Sequence, residues 1–382
     1  MNAICVVETP LQFLSVCSLI LSRDNCFQYD LVIRDIFEGA AALAHKARET
    51  ELFSEVFVAS YRVHEGRKPG IRYLVGSIVA QDKQRDRFYE AAPALSGRNY
   101  DMLICGSVTF FTKDVKQFCS PDGWSEFVDD GTGSHTGNVF QTFLCLDSIL
   151  ASSSPASFKN RLKEAMRRLL AQILPKKFFF DIRAVHLFNP LPEEKARFSG
   201  GLVGELTFQD CQELLPCGSP AGVRCKPYIF LTLPEKACSV ETTQIEVDIA
   251  ALLNELLIGR MTIRLHPRRT AVDFQGGEFD IDQGLSVWEL MIAEGFVNEN
   301  TVLIGFASSA QTMPKYLKNI EPWVIFLHRM IPFAGSVSVY ETIYEDLRGR
   351  YLHPQKVVAP RSVEELVDLV KKIESTGLDV GI

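Results

Sequence analysis

Short apolar runs alternate along this chain with longer stretches whose apolar residues recur every three or four positions. "AICVV" (residues 3–7) reads as a buried strand and "LQFLSVCSLILS" (11–22) as the helix after it. "YDLVIRD" is a second strand, "GAAALAHKARET" a second helix, and "EVFVAS" and "YDMLICG" are further short strands. "SEFVDDG" (125–131) is a strand that ends in a turn. Residues 155–176 form a helix, with Ser154 placed to cap its start, Pro155 in its first turn and Pro175 at its end. "KKFFFDIRAVHLF" then returns as a strand. Strands alternating with helices specify a mostly parallel sheet covered on both faces.

Around "LPCGSPAGVRCKP" (215–227) the chain turns rich in proline, glycine and small residues, the composition of a linker. A second alternating set follows: strand "YIFLTL", a helix over 242–257, strand "MTIRL", helix "SVWELMIAEG", strand "TVLIGF", a helix after "ASSAQT", and strand "WVIFL". Ser286 and Glu289 stand three apart in a capping-box pattern, and "SVEELVDLVKKIEST" closes the chain as another capped helix. The expectation is two doubly wound α/β domains, 1–215 and 228–382, joined by a linker at about 216–227, with a cleft between them. Ligands bind such sheets beyond the carboxyl ends of the strands.

Composition narrows the function. The chain has 382 residues, 47% of them hydrophobic and 23% charged, as in an ordinary globular protein with a large core. A net charge of -7 argues against a nucleic-acid binder. The ten cysteines show no CxxC pair, and the gaps between Cys211, Cys217 and Cys225 match no metal motif. Buried, reduced thiols in a cytoplasmic protein fit them better. The N-terminus has no basic region, and Glu8, Pro10 and Gln12 interrupt its apolar run, so it reads as a first core strand and helix. No apolar stretch reaches the roughly 18 residues expected of a spanning helix.

Three strand ends carry candidate chemistry. Asp129 and Asp130 follow "EFV", and strand alternation turns one carboxylate toward the cleft and the other away. Gly131 and Gly133 beside them let the backbone turn and a ligand approach. A cleft carboxylate can take a proton from a bound hydroxyl; a solvated Asp-Gly turn is the plainer alternative. In "TIRLHPRR" (262–269), Pro267 stops the strand after His266, and Arg268 and Arg269 add charge suited to a phosphate. His353, in "YLHPQK", lacks the arginines and the clear strand, and is the weaker histidine. In "VLIGFASSAQT" (302–312), Ser308 and Ser309 sit where a helix begins, an anion site or simply an N-cap.

Taken in order, "DDG" at 129–131, "HP" at 266–267 and "SS" at 308–309 resemble the bacterial sialyltransferases, most closely the lipooligosaccharide sialyltransferases of glycosyltransferase family 52 and the related capsular polysialyltransferases. "ETPLQFL", which contains Thr9 and Gln12, and "FLTLP", which contains Thr232, also look like that group. The resemblance implies a GT-B architecture of two Rossmann-like domains and an inverting, metal-independent transfer of sialic acid from CMP-sialic acid to a hydroxyl of a cell-surface glycan. It implies Asp129 as base and His266 near the CMP phosphate. Ser308 and Ser309 would lie on that phosphate, with Pro267, Arg268 and Thr232 on the donor side. Asp130 would brace the loop, with Gly131, Gly133, Thr9 and Gln12 around the acceptor. His135, in "GTGSH", departs from the aromatic expected there. Metal at Asp129–Asp130 is the competing chemistry, but adjacent aspartates point apart and lack the spacing of a DxD clamp.

The basic stretch 157–177 fits two roles, a helix lying on an anionic membrane surface or a solvated face of the first domain. The first would make the protein peripheral to the inner membrane face. The resemblance also leaves room for a homodimer. Two rival functions stand beside the main one: a family member using another nucleotide sugar, and a non-catalytic nucleotide- or glycan-binding protein.

Overall fold

The computed structural model describes residues 1–23, 26–37, 39–60, 91–135, 180–198, 202–208, 226–233, 240–266, 269, 271–274, 278–282, 287–306, 308–330 and 337–376. The chain divides into two compact units, Met1–Pro216 and Cys217–Ile382.

Unit 1 is built on β1 (Asn2–Val7), which is buried at every position after Asn2. A strand apolar on both faces belongs in the middle of a parallel sheet with helices on either side. With β2 (Gln28–Arg34), β3 (Glu55–Ala59), β4 (Tyr100–Cys105), β5 (Cys119–Val128), β6 (Ile182–Phe188) and β7 (Leu202–Leu206), the sheet order is β3-β2-β1-β4-β5-β6-β7. Every pairing is parallel. Winding therefore reverses between β1 and β4, and the chain diverges there at the carboxyl end of the sheet. Helix α1 (Pro10–Leu21) leaves β1 at that point. Pro10 stands in its first turn, and the Thr9 hydroxyl accepts from the Gln12 N–H at 3.2 Å. The core beneath includes Ile4, Val6, Val32, Leu103, Phe111, Phe127 and Val185. Burial of each such side chain contributes roughly 1.5–3 kcal/mol.

Unit 2 repeats the plan with shorter strands. They are β8 (Tyr228–Leu231), β9 (Met261–Arg264), β10 (Ile281–Asp282), β11 (Val302–Gly305), β12 (Trp323–Phe326) and β13 (Val357–Val358), in the order β10-β9-β8-β11-β12-β13. All are parallel, and the reversal lies between β8 and β11. Leu231 pairs with Gly305 on one side and Arg264 on the other, so these three strands end level.

Several elements differ from the sequence reading. β7, β10 and β13 are two- to five-residue strands toward the sheet edges, too short or too exposed to show the apolar run that marks a central strand. The helix Trp288–Ala293 takes Val287 as its N-cap, not Ser286, which lies outside the described residues. The closing helix, Val363–Thr376, is capped by Ser362, whose hydroxyl accepts from the Glu365 N–H at 3.3 Å. The basic stretch 157–177, Ser154, most of the 216–227 linker, Pro267 and Arg268 also lie outside the described residues.

Candidate functional site

The carboxyl end of the unit 1 sheet collects polar side chains from the loops after β1, β4 and β5. Gln12, in the first turn of α1, is 1% exposed. Its Oε1 accepts from the Glu8 N–H at 2.7 Å and its Nε2 donates to Asp130 Oδ1 at 2.7 Å. Glu8 takes Thr109 Oγ1 at 2.6 Å and Ser107 Oγ at 3.1 Å on one oxygen and Arg34 at 2.5 Å on the other. Asp130 is half-buried. Its carboxyl is raised from the ordinary aspartate value to about 7, chiefly by burial. The negative charges of Glu8 and Asp129 push the same way, while hydrogen bonds from Gln12 and Thr9 oppose them. A carboxyl of this kind sits near the proton affinity suited to general-base work at neutral pH.

Asp129 is turned inward. It is 1% exposed, and both oxygens are occupied: Oδ1 accepts from the Gly131 N–H at 2.7 Å, and Oδ2 from the Phe188 N–H at 3.0 Å and from His135 Nε2 at 2.8 Å. His135 is wholly buried, and its Nδ1 meets Glu194 Oε1 at 3.0 Å. Burial, the largest single influence on this imidazole, opposes its charge. The carboxylates of Asp129 and Glu194 together overcome it and raise its pKa to about 9. The side chain expected to face outward is thus the buried one, and its neighbour Asp130 is the half-exposed one. The strand reaches Val128, the next side chain goes into the protein, and the one after it faces outward. Gly131 has φ +91°, a left-handed conformation that glycine adopts at little cost. Gly133 lies in the one-turn helix Thr132–His135, whose Ser134 hydroxyl accepts from the Asp130 N–H at 2.9 Å. The departure at His135 is therefore a buried brace for the aspartate turn.

In unit 2 the residues singled out from the sequence follow three adjacent strands, β9, β8 and β11. The Thr232 hydroxyl, 3% exposed, accepts from the His266 N–H at 2.8 Å. Thr232 thereby fixes the backbone on which the half-buried His266 ring is carried. Arg269 is turned into the protein. It is 7% exposed and is held by Glu246, with Asp273 at 3.1 Å. Ser308 caps the helix Ser309–Lys318, its hydroxyl accepting from the Ala310 N–H at 3.2 Å and its own N–H donating to Gln311 Oε1 at 3.0 Å. Ser309 is exposed at the first helical position. The serine pair thus sits at the positive end of a ten-residue helix.

His353 lines a different place, a groove of about 580 Å³ along β13, with Trp323, Arg348, Lys356 and Lys372 among its walls and none of Thr232, His266 or Ser308. No cluster of three metal-ligating side chains occurs among the described residues, and no described helix is long and apolar enough to cross a membrane. The residues that sequence reasoning missed are Glu8, Ser107, Thr109 and Arg34. Glu8 stood in the quoted "ETPLQFL"; the others are brought to it only by the sheet order.

No protein-family model matches the chain, and no curated protein sequence matches it. Solved structures do. Arabidopsis thaliana UGT89C1, solved with quercetin, is 11% identical over 100% of this chain and 90% of its own, with a TM-score of 0.51. S. aureus MnaA, solved with UDP, is 9% identical over 98% of this chain and 96% of its own, with a TM-score of 0.50. At these identities the likeness concerns the fold, and with two parallel α/β units in succession that fold is GT-B, built of two Rossmann-like doubly wound halves.

Proposed function

We propose that this protein is an inverting glycosyltransferase that moves a sugar from a nucleotide-sugar donor to a hydroxyl of a glycan, with Asp130 as the base. The observation that carries this reading is the Asp130 carboxyl. It is half-buried at the carboxyl end of the sheet, beside the point where winding reverses, with a pKa of about 7 and one oxygen held by Gln12. Attack by a sugar hydroxyl on the anomeric carbon requires that the hydroxyl lose its proton. The carboxylate takes that proton as the C–O bond to the acceptor forms and the bond to the leaving phosphate breaks. The phosphate carries away the electron pair, and His266, Ser309 and the amino end of its helix supply donors for that charge. Arg268 is the further cation proposed for it.

Two donors compete. The motif set "DDG", "HP" and "SS" favours CMP-sialic acid. The fold comparison favours a UDP-sugar, since the S. aureus structure of the same fold holds UDP. Incubating the protein with each donor and a glycan acceptor, and measuring CMP or UDP release, decides between them. Turnover is expected to survive EDTA, and its loss would place a metal in the reaction. Asp130→Asn should lower turnover by about two to four orders of magnitude while nucleotide binding persists. If Asp130→Asn turns over normally and Asp129→Asn does not, the assignment of the base is wrong. Binding of nucleotide without turnover on any acceptor would favour the non-catalytic alternative.

A further inference from the structure

We infer that Gln12 is a positioning residue that holds Asp130 in one orientation and favours its charged form, and that Gly106 is the seat this requires. The inference rests on the reading of Asp130 as a base. Its geometry is that of a side-chain amide held at both ends. The Glu8 N–H fixes Gln12 Oε1 at 2.7 Å, which settles which end of the amide is the donor, and the Nε2 then points to Asp130 Oδ1 at 2.7 Å. Nε2 also approaches Ser107 Oγ, at 3.5 Å. The Gln12 side chain packs against Gly106, just past β4. A Cβ added there would stand 2.5 Å from Gln12 Cγ, 2.8 Å from Cδ and 3.0 Å from Nε2. No side chain other than hydrogen lets the amide lie where it does.

The surroundings explain why such a donor is needed. The charges facing Asp130 are the carboxylates of Glu8 from the β1 end and Asp129 from its own turn, both opposing ionisation. Arg34 is spent on Glu8, and His135 and Glu194 on the far side of Asp129. The Ser134 hydroxyl meets the Asp130 backbone and not its carboxyl. Support for the charged form comes from the neutral hydroxyl of Thr9 and the amide of Gln12. A hydrogen bond to the ionised form lowers a carboxyl pKa, so losing this one raises it.

The test reads the Asp130 titration directly, by carboxyl-carbon NMR on the full-length protein with Asp130→Asn used to assign the resonance. Gly106→Ala, which drives the amide off its seat, should move the Asp130 midpoint up by about one pH unit, the size expected for one hydrogen bond to a charged group. Gln12→Glu keeps the side chain's length but sets a third carboxylate there, and should move it further in the same direction. The pair Gln12→Ala with Gly106→Ala relieves the clash, so it should melt at the temperature of Gln12→Ala alone. Where transfer is measurable, the acid limb of the kcat/KM profile should follow the NMR midpoint. An Asp130 midpoint unmoved in both Gly106→Ala and Gln12→Glu overturns the inference. If Gly106→Ala does not fold, Gln12→Glu alone decides. Titrations that shift as described in a protein that transfers no sugar would leave the inference standing and sink the proposed activity instead.

Discussion

The Asp129 carboxylate accepts from two backbone N–H groups and from His135, and the other nitrogen of that imidazole faces Glu194. Removing the ring strands two buried acids at once. His135→Ala is expected to cost about 3–5 kcal/mol, the range for breaking a buried ion pair, read from urea unfolding. The imidazole's pKa of about 9 lies above its ordinary value of 6.5. Its contribution is therefore whole below about pH 6.5 and is lost as pH rises through 9, so the melting temperature should fall across that interval in the wild type and less in His135→Ala. Asp130 acts in the opposite direction on activity: kcat/KM should fall as pH drops below about 7, where the base becomes protonated. Alternation along "SEFVDD" foretold that the aspartates point apart. It did not foretell which goes inward, because the buried one is chosen by His135 and by Glu194, the latter 59 residues from His135 in the chain. The half-buried one is held by Gln12, 118 residues away. Contacts so remote leave no local trace.

At the scale of elements, the central strands were legible because both of their faces are apolar: β1, β2, β4, β8, β11 and β12 are all buried runs. β7, "LVGEL", was not, since most of its residues are exposed or half-exposed and a glycine breaks the pattern. That glycine has a packing reason. A Cβ on Gly204 would lie 2.3 Å from His186 Nδ1 on the neighbouring strand. His186 Nε2 in turn meets Glu126 at 2.8 Å. Burial, the largest influence on Glu126, opposes its charge. His186, Arg23 and Trp124 outweigh it and hold the carboxyl at about 2. Gly204→Ala should therefore displace the imidazole, costing about 1–3 kcal/mol as overpacking does. The stability given by Glu126 is present above the ordinary carboxyl range and is lost as pH falls toward 2. The variant, having lost part of that support, should unfold at a higher pH than the wild type in an acid titration followed by circular dichroism.

At the scale of the molecule, each unit closes its own core. That of unit 2 gathers Phe230, Leu253, Ile263, Ile304, Ile325, Leu327, Leu366 and Val370, all from its own elements. A fragment of residues 217–382 is expected to give a cooperative thermal transition by itself and to retain nucleotide binding if the phosphate contacts proposed for His266 and Ser309 are correct. A fragment that melts without cooperativity would show that its core needs the other half. Two doubly wound sheets in sequence were legible from the alternation of strands and helices, and the reversal points were not, since sheet order is a matter of which strand pairs with which. The clamp of Asp129, His135 and Glu194 has a last consequence for how the chain can vary. It ties the end of β5 to the region just past β6, and those two strands are hydrogen-bonded from Ser125 through Val128. A change at Glu194, 59 residues from His135, should therefore disturb the aspartate turn as surely as a change within the turn itself.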